Sequence, residues 1–149
     1  NVTSAASTAI FFPGKLQGVE EHDLEADAGG RGELRGLLQG IQQSSDFYIT
    51  GGDPILHPDF WKLMVLLKSK DIPFTLMGNP FHLDDQICRM LKVCGCEKYQ
   101  MSLDGMRETH DWFRKPGSFD LTLEKVGCLN RAGIKSIIMS TVSKTNMNE

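Results

Sequence analysis

Phe47-Tyr48-Ile49-Thr50-Gly51-Gly52-Asp53-Pro54 decides the reading of this 149-residue chain: an apolar strand that stops abruptly on two glycines, a carboxylate and a proline. Two glycines let the backbone bend and come close to a bound group, Asp53 adds an anion, and Pro54 ends the strand by withholding a donor. Alone, the tetrapeptide is equally ordinary punctuation between a strand and a helix. Its neighbours separate the two meanings.

From Phe47 onward, short apolar strands alternate with amphipathic helices, the rhythm of parallel βα architecture. The first strand, Phe47 to Thr50, precedes a helix opening at His57-Pro58-Asp59, where Pro58 suits the first helical position. Phe60, Trp61, Met64, Leu66 and Leu67 give that helix an apolar face, and Lys68 to Asp71 closes it. A second strand, 73 to 77, ends in Gly78-Asn79-Pro80. Asp84 or Asp85 then caps a helix carrying Ile87, Met90, Leu91 and Val93, which Gly95 terminates. The third strand, 99 to 103, runs into Asp104-Gly105. A short helix from Arg107 to Phe113 and a longer one through Leu121, Leu123, Val126, Cys128 and Leu129 follow. The fourth strand, Ile134 to Val142, reads as the longest and most apolar, and Asn146 and Glu149 have the spacing of a capping box, so a helix is expected there.

The expected fold class is α/β, a partial (β/α) barrel with parallel strands and helices outside. Four strands leave sheet edges uncovered, so the chain is expected to be truncated after the strand at 134 to 142. In such folds the ligand lies beyond the carboxyl ends of the strands. Gly-Gly-Asp-Pro, Gly-Asn-Pro, Ser-Leu-Asp-Gly and Ser-Lys-Thr-Asn therefore converge on one rim.

Residues 1 to 46 differ in kind, with 3 Lys+Arg against 7 Asp+Glu, whereas the remainder holds 13 against 12. They are expected to form a divergent segment ahead of a core at 47 to 149, with a poorly ordered stretch around Glu20 to Gly40 and a weak helix near Glu33 to Ile41. A net charge of -3 gives no basic footprint for nucleic acid. The apolar runs are too short to cross a bilayer. The start lacks the features of a secretory signal, and four cysteines, Cys88, Cys94, Cys96 and Cys128, suggest no disulfide framework, so a cytoplasmic protein is expected.

Two sets of residues in register resemble a radical S-adenosylmethionine enzyme of the branch with a C-terminal SPASM-type extension, which modifies peptides or proteins. The first is Ile49-Thr50-Gly51-Gly52-Asp53-Pro54 with Leu56-His57-Pro58-Asp59-Phe60. The second is Gln100-Met101-Ser102-Leu103-Asp104-Gly105 with His110 and Arg114. Gly117-Ser118-Phe119-Asp120, Asn130-Arg131-Ala132-Gly133-Ile134 and Thr141-Val142 also fit in order and spacing. The resemblance covers residues 47 to 149. It implies S-adenosylmethionine held over a 4Fe-4S cluster, whose reductive cleavage yields a 5'-deoxyadenosyl radical that takes a hydrogen atom from a peptide or protein substrate, with electrons from an external donor. By the same resemblance Gly51, Gly52 and Asp53 receive the methionine ammonium, with Asp53 standing where glutamate is commoner. Ser102 bonds the ribose or the methionine carboxylate, and Arg114 pairs with that carboxylate. Asp104 serves ribose hydroxyls or simply forms the turn that Asp-Gly favours.

The family's first strand normally runs into Cys-x-x-x-Cys-x-x-Cys, three thiolates for the cluster. No cysteine here precedes Cys88. The segment Val2 to Gly14 resembles the opening strand and loop, but Ala5, Ala9 and Phe12, or Ala6, Ile10 and Pro13, occupy the motif's spacing. The chain is thus expected not to assemble the cluster in the usual way and to be inactive as it stands. The alternative is a degenerate, cluster-free βα binding or scaffolding module. A phosphate-binding βα fragment is disfavoured, since no strand leads into a Gly-rich loop ending in Lys-Ser/Thr. The cysteines read as buried thiols, with Cys94-Gly95-Cys96 at a helix exit. His57 reads as part of a helix start, His82 as a loop residue, His110 as a partly exposed helix residue, and Trp61 and Trp112 as core or groove lining.

Overall fold

The computed structural model describes residues 8–12, as strand backbone, and 47–149. The expectations for the stretch from Glu20 to Gly40, for the helix near 33–41, and for Ala5, Ala6 and Pro13 lie outside the described residues. Five strands, β1 (Thr8–Phe12), β2 (Phe47–Gly51), β3 (Phe74–Met77), β4 (Cys96–Ser102) and β5 (Lys135–Met139), form one sheet in chain order. Every pairing is parallel. Ile10, Ile49, Leu76, Tyr99 and Ser136 share one row across it.

Four helices, α1 (Phe60–Ser69), α2 (Asp85–Val93), α3 (Arg107–Phe113) and α4 (Ser118–Arg131), lie in the connections. Because sheet order equals chain order, each right-handed crossover delivers its helix to the same face. The core forms there: Ile49, Leu76 and Tyr99 join Phe60, Met64 and Leu67 of α1, Cys88 and Leu91 of α2 and Leu129 of α4, all 2% exposed or less. The opposite face, which no helix of the described residues covers, carries Tyr48, Thr50, Met77, Lys98, Gln100 and Ser102, half-buried and largely polar. Among the described residues, one face is therefore packed by helices and the other is not.

Local signals place the helix ends. Asp84 accepts from the Ile87 amide at 2.6 Å, an N-cap that satisfies a first-turn donor of α2. Asp111 does the same for α4, accepting from Gly117 N at 2.7 Å and Phe119 N at 2.8 Å. α1 starts later than expected. Pro54–Leu56 makes a short 3-10 turn, and the Asp59 amide donates to His57 Nδ1 at 3.2 Å, so Pro58 precedes the helix instead of opening it.

Three further expectations are corrected. β4, not the last strand, is the longest, and it takes in Cys96; β5 stops at Met139. The chain leaves the ladder there because Ser140 Oγ donates to Leu103 O at 2.5 Å and the Thr141 amide donates to Asp104 Oδ1 at 2.8 Å. Asn146 and Glu149 start no helix: residues 144–148 are turns. His110 is buried at 1% exposure, whereas Trp112 stands 73% exposed.

Phe60 is fully buried between α1 and the sheet, so Phe60→Ala is expected to lower unfolding free energy by about 3–5 kcal/mol in urea titrations. A loss under about 1 kcal/mol would contradict the assigned core.

Candidate functional site

The ends of β2, β3, β4 and β5 emerge on one rim, so residues distant in sequence meet there. Gly51 closes β2 in register with Phe12 of β1. Gly52 follows, and a Cβ built on it would meet no described atom within 4 Å, leaving open space above that backbone. Asp53 comes next. Both of its carboxylate oxygens are buried and have no hydrogen-bond partner among the described residues. The carboxylate points across to the end of β3, where Oδ1 lies 3.1 Å from the position a Cβ on Gly78 would take.

Burial pushes the Asp53 carboxyl above the usual carboxylate range, outweighing the opposing pull of the His82 charge and of Ile55 and Asn79. Those amides lie close enough to be felt without reaching hydrogen-bond geometry. A buried carboxylate without donors is costly in water-excluded surroundings. Such a group is satisfied by a proton or by a cation.

At the end of β4, Ser102 is half-buried and pairs in register with Met139. Asp104 differs from Asp53 in its hydrogen bonding. Its Oδ2 accepts from Arg114 Nε at 2.5 Å, its Oδ1 accepts from Thr141 N, and its amide donates to His110 Nδ1 at 3.0 Å. Its carbonyl accepts from Asn146 Nδ2 at 2.9 Å. Burial would raise the Asp104 carboxyl, but Arg114 and the Thr141 amide together hold it below the ordinary value. Both oxygens are thus engaged, which makes Asp104 the knot of a turn. Arg114 keeps its terminal guanidinium nitrogens available, with the side chain 44% exposed.

Sequence reasoning missed the residues that close this rim. Asn146 accepts from the Ser143 amide at 2.6 Å and donates to Thr141 O at 2.8 Å. Glu149 accepts from Met106 N and Thr109 Oγ1, each at 2.6 Å, capping α3 from 40 residues away. Their spacing suggests a local capping box; instead Asn146 also reaches Asp104 O and Glu149 reaches Met106 and Thr109, distant partners that no spacing rule reveals.

The cysteines lie elsewhere. Cys88 is in α2, Cys128 in α4, and Cys96 begins β4, at the opposite end of the sheet from the rim. Burial raises the Cys88 thiol to about 11 and the Cys96 thiol to about 12, so both stay protonated at neutral pH, unlike iron-binding thiolates. Ala9, Ile10 and Phe12 fall inside β1, and no cysteine lies between β1 and β2. The residues present therefore do not fit a cluster ligated at the first strand end. A cleft of about 400 Å³ lined by Lys68, Asp71, Lys92, Cys94 and Glu97 also lies at the amino ends of the strands, away from the ligand side of such folds. Among the described residues no helix is long and apolar enough to cross a membrane.

A family model described as the Radical SAM superfamily matches residues 34–149. An AdoMet-dependent heme synthase of Methanosarcina barkeri is 33% identical over 103 residues, covering 68% of this chain and 30% of that protein. The sporulation killing factor maturation protein SkfB of Bacillus subtilis is 29% identical over 106 residues, covering 70% of this chain and 26% of that protein. In fold, the chain is similar to the radical S-adenosylmethionine methyltransferase TsrM of Kitasatospora setae, solved with cobalamin and a 4Fe-4S cluster. The TM-score is 0.53 at 16% identity, over 73% of this chain and 24% of that one. The chain thus spans less than a third of the length of these proteins.

His110 supplies a pH test of the knot. Burial lowers its pKa below the ordinary 6.5, so on acidification the unfolded chain takes up the proton first and stability present above that value is lost as pH falls. Urea midpoints should drop from about pH 7.5 to about pH 5.5, and His110→Gln should flatten that slope. An unchanged slope in the variant would remove His110 as its source.

Proposed function

Because this chain belongs to the radical S-adenosylmethionine superfamily, we propose that its strand-end rim binds S-adenosylmethionine, with the Asp53 carboxylate receiving the methionine ammonium. One observation carries this reading: both carboxylate oxygens of the half-buried Asp53 are hidden from water and unpartnered among the described residues, beside open space over Gly52. An ammonium group offers three donors and a positive charge, the complement of two lone carboxylate oxygens. Gly51 and Gly52 bring backbone carbonyls to the same cation without a side chain in the way. The short aspartate reaches less far than glutamate, so the backbone takes a larger share of the contact.

In this reading Ser102, two strands away, bonds the ribose or the methionine carboxylate. Arg114 spends Nε on Asp104 and directs its terminal nitrogens to that carboxylate, so Asp104 acts on the ligand through Arg114. This favours the turn over the ribose contact for Asp104. In this family the cofactor supplies hydrogen-atom abstraction once it is reductively cleaved at a 4Fe-4S cluster. The chain's own thiols do not fit such a cluster, and no reaction step is assigned to these residues. The 149 residues are proposed to bind the cofactor without cleaving it.

For the parent lineage, the similarity to SkfB supports action on a peptide or protein, with an electron donor as a second partner. The similarity to the heme synthase supports a tetrapyrrole instead. A cluster-free binding module is the second reading, favoured by the absence of cysteine between β1 and β2.

Equilibrium dialysis with labelled S-adenosylmethionine should show Asp53→Asn weakening binding about tenfold, in line with loss of one charge-assisted pair. Equal affinity would remove Asp53 from the site. Anaerobic reconstitution with iron and sulfide should yield no 5'-deoxyadenosine; its appearance would overturn the proposed inactivity.

A further inference from the structure

Tyr99, on β4 between β3 and β5, has 0% exposure, yet its hydroxyl reaches the rim and donates to the Asn79 carbonyl at 2.9 Å. The same hydroxyl lies 2.7 Å from the point where a Cβ on Gly78 would sit, and Asp53 Oδ1 lies 3.1 Å from that point. The end of β3 is thus threaded between a tyrosine and an orphan carboxylate. Only a residue without a side chain fits between them.

The hydroxyl is a donor close to the carboxylate, and a tyrosine free to rotate would give its proton to so strong an acceptor. The Asn79 carbonyl prevents this by accepting that hydrogen bond instead. We infer that Tyr99 is a positioning residue: by committing its hydroxyl to the Asn79 carbonyl it fixes the Gly78–Pro80 strand end and leaves Asp53 without a donor, reserved for the ligand's ammonium. The inference rests on the reading of Asp53 as the ammonium site. Burial, reinforced by the Asp53 charge, keeps the tyrosine protonated well above its ordinary range, so the hydroxyl proton stays in place at physiological pH.

Tyr99→Phe keeps the ring in the core and removes only the hydroxyl. It frees the Asn79 carbonyl, lets the strand end relax, and opens Asp53 to water. Gly78→Ala drives a methyl against both groups from the other side. Removing the hydroxyl relieves part of that crowding.

The test uses the full chain and two probes, S-adenosylmethionine and its deaminated analogue, in which hydrogen replaces the amine. For Tyr99→Phe the expected result is about a five- to tenfold loss of S-adenosylmethionine affinity, the scale of one lost hydrogen bond. Affinity for the deaminated analogue should not change. Gly78→Ala should lose more, and the loss should be smaller than additive in Gly78→Ala/Tyr99→Phe. Equal losses for both probes would overturn the positioning role, because a merely structural tyrosine does not distinguish an amine from hydrogen. Unchanged affinity for both probes overturns it as well. If Asp53→Asn leaves S-adenosylmethionine binding intact, or the wild type binds none, the underlying ammonium reading fails and the inference with it. Loss in Asp53→Asn without loss in Tyr99→Phe rejects Tyr99 alone. Should Tyr99→Phe not fold, Gly78→Ala alone decides: it must separate the two probes.

Discussion

A carboxylate withdrawn from water and given no donor is the constraint around which the rim is arranged. Burying an unpaired charge costs several kcal/mol, roughly 2 or more even for a neutral polar group, and a fold tolerates it only where something else compensates. Asp53 is held in this state by geometry upstream of chemistry. β2 ends at Gly51, the 3-10 turn of Pro54–Leu56 draws the chain sideways, and the carboxylate is left against Gly78. Tyr99 crosses the core to donate its hydroxyl to the Asn79 carbonyl. Each of these elements also packs the sheet. Site and core are therefore parts of one arrangement.

The contrast with Asp104 gives the constraint its meaning. Both aspartates follow parallel strands and both are adjacent to glycine, yet one has no partners and the other has two for its carboxylate alone. Partners lower the Asp104 pKa; their absence leaves burial to raise that of Asp53. The first is a structural anion that ties β4 to the segment after β5. The second is an unsatisfied anion at the edge of open space. The thiols repeat the lesson in reverse: burial keeps Cys88 and Cys96 protonated, Cys94 borders the cleft at the amino ends of the strands, and none of the four is at the rim.

Much of the fold was legible because period and punctuation agree. Phe60, Met64 and Leu67 at helical spacing, glycine after α2 and α4, and Asp84 ahead of α2 all act locally, within a turn of where they are read. Family resemblance directed attention to the rim, where Gly51, Gly52, Asp53 and Ser102 sit at or just beyond strand ends. What escaped acts at a distance. Glu149 caps a helix 40 residues earlier, Asn146 closes a turn at Asp104, and Tyr99 serves a carbonyl on the neighbouring strand. His110 was misplaced for the same reason: its burial comes from the Asp104 turn and from Phe119, whose ring lies 6.2 Å away, and not from its own helix.

The most direct test of the ammonium site is a ¹³C NMR titration of the Asp53 carboxyl with and without S-adenosylmethionine. In the free protein its pKa should lie above the ordinary 3.8, and saturating ligand should drive it down, as an adjacent ammonium favours the charged form. A carboxyl pKa that stays put on saturation, or that is already depressed in the free protein, would contradict the account.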